Sequence, residues 1–266
     1  MSERPNVVVT GKSGAGKQPR IDVLVEHYGL AQLSTGNLFR AYLGTWREVG
    51  STDVQDLFDG AAFAPDAMLA ARIAPAARAT GVDPEAAILG FRASCYVDRG
   101  LFVPDDITNA LLASAFRAAG GHGLALDGYP RTPDQSEFLL DLAAQSGARI
   151  DLVLVVDHDD EAIVARTMGR RICPNKACGK VFHLVHKPPR DGRFCTACGA
   201  EVIQRSDDTE PRIRTRLAEF QAKALPAIRH LEATGIPLVT VPGALPVFTD
   251  EAVRASVLGA VRPILG

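Results

Sequence analysis

Residues 11–17 read Gly-Lys-Ser-Gly-Ala-Gly-Lys and directly follow Val7-Val8-Val9-Thr10, a short run of β-branched residues. A glycine-rich turn between a buried strand and a helix is the pattern of a phosphate-binding loop, and it constrains the fold because strand, turn and helix must come in that order. Gly11, Gly14 and Gly16 let the backbone bend so that successive N–H groups, including that of Ala15, face one anion. Lys17 adds a positive charge for the outer phosphates of a nucleoside triphosphate. The loop then departs from its usual form, with Gln18-Pro19-Arg20 where a serine or threonine is expected. Pro19 withdraws one backbone donor, yet proline is tolerated in a first helical turn, so a helix is still expected here.

Further short apolar runs lie at Leu124–Leu126, Leu152–Val156 and Leu238–Val241, without clean alternation, as in strands covered on both faces. Helical patterns alternate with them at Asp106–Ala119, Pro133–Ser146, Glu161–Thr167, Pro211–Thr234 and Asp250–Leu258. That order predicts an α/β fold with a doubly wound parallel sheet. Two stretches interrupt it: 36–100 reads as helical without a strand, and 172–204 is polar, hairpin-like and rich in cysteine. The expected organisation is a core of 1–35, 101–171 and 205–266 with insertions at 36–100 and 172–204. Within the first insertion, Asp59–Asp66 and Asp98–Asp105 share a Pro-Asp ending, which reads as two ordinary helix starts.

Lys and Arg total 29 against 31 Asp and Glu, so no excess positive charge points to a nucleic acid. No apolar stretch approaches the roughly 20 residues of a membrane span. The opening Met1-Ser2-Glu3-Arg4-Pro5-Asn6 has no basic and apolar leader pattern. The expectation is a cytoplasmic monomer acting on small molecules, with neither nucleic acid nor membrane as partner.

Four of the five cysteines form two pairs, Cys173-x4-Cys178 and Cys195-x2-Cys198, with sixteen residues between the pairs. Two knuckles supplying four soft ligands suit tetrahedral zinc, and a set of four leaves no open position, so the metal is expected to be structural. Cys95 stands apart and is expected in a core. Arginines crowd both sides of this hairpin, with Arg166, Arg170 and Arg171 before it and Arg205, Arg212, Arg214 and Arg216 after it. Arg166 and Arg170, four apart, are expected on one helix face, with the hairpin bringing Arg205 near them. Phosphoryl transfer requires such concentrated charge, and the planar guanidinium grips phosphate oxygens in pairs.

With these segments in view, the chain resembles the adenylate kinase family in its long form with a zinc-bearing lid. The likeness is carried by Gly11–Lys17, Ser34-Thr35-Gly36-Asn37-Leu38-Phe39-Arg40, Val103-Pro104-Asp105-Asp106, Leu126-Asp127-Gly128-Tyr129-Pro130-Arg131-Thr132 with Gln135, Gly169-Arg170-Arg171 and Arg205-Ser206-Asp207-Asp208. The resemblance implies a P-loop nucleoside monophosphate kinase fold, with a helical monophosphate-binding insertion at 36–100 and a lid at 172–204. It implies phosphoryl exchange between ATP and AMP, giving two ADP. In it Gly11, Gly14, Ala15, Gly16 and Lys17 hold the ATP phosphates, and Arg166 flanks the ATP base. Arg170, Arg205 and Arg216 surround the moving phosphoryl group, the last two also serving AMP. Thr35, Arg40, Arg131 and Gln135 match the AMP positions, with both arginines on the phosphate. Asp127 matches the carboxylate that orders the waters of Mg2+, and Gln135 offers a donor and an acceptor side by side for an adenine edge.

Three departures from the family pattern stand out: Gln18-Pro19 replaces Gly-Thr, Asn37 replaces aspartate, and the 36–100 insertion is unusually long. The alternatives at this level are a kinase for another nucleoside monophosphate and a catalytically weak nucleotide-binding regulatory protein.

Overall fold

Five strands form one parallel sheet in the order β2-β3-β1-β4-β7. They are β1 (Val7–Thr10), β2 (Ala31–Ser34), β3 (Leu124–Asp127), β4 (Leu152–Asp157) and β7 (Leu238–Pro242). The computed structural model describes residues 4–50, 53–99, 103–175, 177–205 and 208–266. Met1–Glu3 of the opening segment, Gly100–Phe102 of the second helix-start segment and Ser206-Asp207 of the 205–208 motif lie outside the described residues.

Alternation along β1 explains the double winding. Val7 and Val9 face one layer, made by α1 (Lys17–Tyr28), α7 (Asp160–Met168), α8 (Glu210–Glu219) and α10 (Asp250–Leu265). Val8 faces the other, made by α5 (Asp105–Ala118), α6 (Pro133–Gln145) and α9 (Leu225–Ala233). With all three valines fully buried between helices, the strand has no polar face to show.

Helix α1 forms despite Pro19, which lies in its first turn. Helix α10 runs seven residues past the expected Leu258, to Leu265, with Pro263 inside its last turn. The stretch expected as a single helix at 211–234 is α8 and α9 joined by a π-helical segment at Phe220–Ala224. Strand β2 is absent from the sequence-based expectation for a physical reason. Ala-Gln-Leu-Ser has no β-branched residue, and as an edge strand it is only partly buried.

The first insertion contains α2 (Thr35–Val49), a short 3-10 turn (Gln55–Leu57), α3 (Asp66–Ala79) and α4 (Pro84–Val97). Its helices close over a core of their own that includes Leu57, Phe58, Leu69, Ile73 and Phe91, with partly buried Cys95 at its border. Both Pro-Asp segments do start helices, at Asp66 and Asp105. The second insertion is built on β5 (Arg170–Ile172) and β6 (Val181–His183), paired antiparallel, with Phe182, Val202, Cys173 and Cys195 buried at its centre. Gly169 caps α7, so Arg170 stands on a strand of the hairpin. Arg166 and Arg170 therefore do not share a helix face, because Gly169 ends the helix between them.

Candidate active site at the strand ends

The loops that leave the carboxyl ends of β1, β2, β3, β4 and β7 all open on one edge of the sheet, where ligands of open α/β sheets bind. The phosphate loop is wrapped tightly there. A Cβ at Gly11 would lie 2.3 Å from the Val156 carbonyl oxygen of β4, and one at Gly14 would lie 2.9 Å from Thr167 Oγ1 of α7. Both glycines, and Gly16, have positive φ. Lys17 curls back over the loop, its Nζ donating to the carbonyls of Gly11 (2.9 Å) and Lys12 (3.2 Å). Burial lowers the Lys17 pKa; Asp127 opposes this effect and Arg131 adds to it. Residues from the ends of β1 and β3, which are paired with Val9 opposite Asp127, thus act on one another's charge.

Next to them, Thr35 Oγ1 donates to the Gly128 carbonyl (3.2 Å), and Arg131 Nε donates to the same carbonyl (2.8 Å). A Cβ on Gly128 would sit 2.9 Å from Thr35 Oγ1 and 3.2 Å from an Arg131 guanidinium nitrogen, so this glycine leaves the space both side chains use. Arg40 donates to the Asn37 side-chain oxygen. Because that partner is a neutral amide, Arg40 keeps a charge that an aspartate would have offset.

Gln135 is buried and its amide is engaged on both sides. Its oxygen accepts from the Arg131 N–H (2.8 Å), and its nitrogen donates to Asp105 (2.8 Å), which also accepts from the Thr132 hydroxyl (2.8 Å). In this structure Gln135 therefore positions Arg131, and it meets an adenine edge only by exchanging those bonds. Arg170 grips the fully buried Asp208 with two guanidinium nitrogens, tying the start of the hairpin to the turn before α8. Arg205 lies exposed at the end of the hairpin, and Arg216 half-buried on α8.

The altered loop end has its own arrangement. Gln18 and Gln32 exchange amide hydrogen bonds (3.0 and 3.1 Å), and Gln32 reaches Asp127 Oδ2 (3.4 Å). Gln18 thus links the start of α1, through β2, to the carboxylate at the end of β3. Gln32 did not stand out in the sequence, and Gln18 and Asp105 stood out only as a departure from the loop pattern and as part of a helix-start motif, because a lone amide or carboxylate carries no signal of its long-range partner. Arg20 was more legible. It precedes Leu24 by four residues on the apolar face of α1, and it is fully buried.

In the hairpin the four sulfurs of Cys173, Cys178, Cys195 and Cys198 lie within 4.8 Å of one another, with Cys173–Cys198 at 3.3 Å and Cys178–Cys195 at 3.6 Å. A tetrahedral zinc with sulfurs at 2.3 Å requires sulfur separations of about 3.8 Å, so the donor set fits such an ion. Burial raises the Cys195 thiol, but N–H groups of Cys198 and Ala197 outweigh it and bring the pKa down to about 6. Cys173 moves the other way, pushed up by burial, so within the cluster it is Cys195 that is held towards the thiolate, the form that ligates metal.

Comparison with known proteins gives the family of this chain. The adenylate kinase family profile matches residues 84–236, more than half of the chain, in a stretch that does not include the phosphate loop. The adenylate kinase of Symbiobacterium thermophilum is 32% identical over 257 residues, covering 94% of this chain and 99% of the relative. That of Anaeromyxobacter sp. is 33% identical over 250 residues, covering 94% and 95%. That of Thermococcus gammatolerans is 32% identical over 231 residues, covering 87% and 84%.

Proposed function

The chain belongs to the adenylate kinase family and is a nucleoside monophosphate phosphotransferase, and we propose that it transfers the γ-phosphoryl group of ATP to AMP at the strand-end site just described. The observation that supports this reading is the juxtaposition of the β1 loop with the end of β3, where Asp127 lies opposite Val9 and, with Arg131, acts on the Lys17 charge. A cation on a phosphate loop, a carboxylate and a second cation are the parts that phosphoryl transfer between two nucleotides needs.

In this reading Gly11, Gly14, Ala15 and Gly16 present main-chain N–H groups to the ATP phosphates, and Lys17 exchanges its loop carbonyls for a phosphate oxygen. Thr35, Arg40 and Arg131 hold the AMP phosphate, with Gln135 fixing Arg131 from behind. An oxygen of that phosphate forms a bond to the γ-phosphorus as the bond to the β,γ-bridging oxygen breaks, leaving ADP on each side. Arg170, Arg205 and Arg216 supply positive charge to the phosphoryl group in transit. Asp127 would hold magnesium through water, as this small ion prefers, and the ion would offset charge on the ATP phosphates. The 36–100 insertion is the acceptor-binding unit, and the 172–204 hairpin is a zinc-stiffened lid. Arg170–Asp208 anchors its base, and closure over ATP would exclude water that could otherwise take the phosphoryl group. Among the described residues no helix is long and apolar enough to cross a membrane.

Arg40→Ala and Arg131→Ala test the acceptor assignment. Each removes a charge-assisted contact worth about 1.5–3 kcal/mol, so KM for AMP should rise about ten- to a hundredfold while KM for ATP changes little. Equal losses for both nucleotides would contradict the placement of these arginines on the acceptor side.

A further inference from the structure

The segment that ends the phosphate loop, Gln18-Pro19-Arg20, removes one anion donor and adds a cation. A helix leaves its first N–H groups without internal partners, and at the start of α1 these are the groups a phosphate would meet. Pro19 has no N–H to offer, so the helix start is one donor short. Arg20, the next residue, is fully buried. Its guanidinium donates to the Gly16 carbonyl (3.1 Å) and, on the far side, to the carbonyls of Pro242 (2.6 Å) and Gly243 (3.2 Å) at the end of β7. Its Nε is buried without a partner. A Cβ at Gly16 would lie 3.0 Å from an Arg166 guanidinium nitrogen and 3.2 Å from one of Arg20, so both cations close on the same glycine. Among the described residues no carboxylate pairs with either. Burial, and then Arg166, lower the Arg20 pKa. A buried cation held by carbonyl dipoles and facing a second cation is costly, and an anion in the loop is the countercharge that would offset it.

The Gly16 carbonyl and the Lys17 N–H belong to one peptide group. In a planar trans peptide the two point in opposite directions, so fixing the carbonyl on Arg20 turns the Lys17 N–H away from Arg20. Lys17 is the first residue of α1, and its N–H has no partner within the helix. Donation into the carbonyl also polarises the whole amide, which strengthens its N–H as a donor. Arg20 can therefore act on an anion in the loop through one peptide group, without touching it.

We propose that Arg20 is a positioning residue of the phosphate loop: it aims and strengthens the Lys17 N–H for a polyphosphate chain, takes its countercharge from that anion, and so makes up for the donor missing at Pro19. This assignment rests on the reading of the β1 loop as the ATP phosphate site. It concerns the anionic chain alone and is independent of the base and of the acceptor.

Inorganic tripolyphosphate, which carries the anionic chain without base or sugar, is the probe that tests this. It is titrated calorimetrically, without magnesium, against the unmodified protein, R20Q and R20K, with AMP titrated in parallel. R20Q keeps an N–H donor for the carbonyls and drops the charge, whereas R20K keeps the charge and loses the planar fork. Tripolyphosphate affinity should fall about tenfold in R20Q, the lower end of what a charge-assisted hydrogen bond contributes, and by less in R20K. AMP affinity should stay constant in both. In protein labelled with 15N-lysine, the Lys17 amide proton should move downfield when tripolyphosphate binds, and move less in R20Q. Unchanged tripolyphosphate affinity in R20Q, an equal loss of AMP affinity, or a larger loss in R20K than in R20Q would overturn the proposal, the last by marking Arg20 as a bracket for the main chain only. A Lys17 amide that does not respond to bound tripolyphosphate in the unmodified protein would overturn it as well, and that measurement needs no variant to fold. Failure of the unmodified chain to bind tripolyphosphate would overturn the reading of the β1 loop and this assignment with it. Binding without phosphoryl transfer would count against the reaction assigned above and leave the affinity comparison to decide this point.

Discussion

Replacing Lys17 with methionine should lower kcat by about two to three orders of magnitude, the loss that follows removal of one preorganised electrostatic donor at a transition state. Methionine keeps the length of the lysine stem and its packing, so the change isolates the charge. In the structure Lys17 closes the loop on the carbonyls of Gly11 and Lys12, and it lies in the field of Asp127 and Arg131. Without its ammonium those carbonyls lose their donor, and the loop keeps only main-chain N–H groups for the anion. AMP affinity should be unaffected, because Thr35, Arg40 and Arg131 are held by Gly128, Asn37 and Gln135 and not by Lys17. Steady-state kinetics with each nucleotide varied in turn distinguish these effects. A kcat within a few-fold of the unmodified protein would remove Lys17 from the reacting centre.

Loss of the hairpin metal should have a comparably large effect, on stability as well as on rate. One zinc per chain is expected in the purified protein, and Cys195→Ser should abolish it. Structural zinc contributes on the order of 10 kcal/mol of apparent binding energy, which is also local folding energy. The hairpin has little else to hold it, since its buried apolar centre beyond the cysteines is Phe182 and Val202. Without metal the cysteine knuckles should lose their protection from hydrogen exchange. Phosphoryl transfer should fall as well, because Arg170, to which we assign a place at the phosphoryl group, stands on the first strand of this hairpin. Elemental analysis that finds no zinc, together with unchanged melting after chelation, would contradict this.

Much of the sheet was legible because it is buried on both faces. Val7–Thr10 is apolar without alternation, and strands of that kind need no partner to be recognised. Strand β2 was not legible, since its Ala-Gln-Leu-Ser acquires strand geometry only by pairing with β3. The division of Arg166 from Arg170 also escaped the sequence, because a glycine four residues into a basic run can continue a helix or end it. At the site, Lys17, Asp127 and Arg131 stand out from motif spacing, and in the fold they lie near enough for Asp127 and Arg131 to act on the Lys17 charge. The partners that orient the site could not be found in this way. Asp105 and Asp208 were visible as members of motifs, but their pairing with Gln135 and Arg170 was not, and Gln32 had no signal at all, because these contacts cross long stretches of chain that no local spacing reports. The odd loop ending at Gln18 is the clearest case. Read alone it is a lost hydroxyl, whereas in the fold it is half of an amide pair leading to Asp127.

Phosphoryl transfer between two nucleotides at the β1 loop is tested most directly by measuring ADP formed from ATP and AMP. The assay is run with and without magnesium, with CMP, UMP and GMP offered in parallel as acceptors. Two ADP should form for each ATP consumed, only with magnesium, and with AMP preferred over the other three. ATP binding without any phosphoryl transfer to any of the four monophosphates would contradict the account.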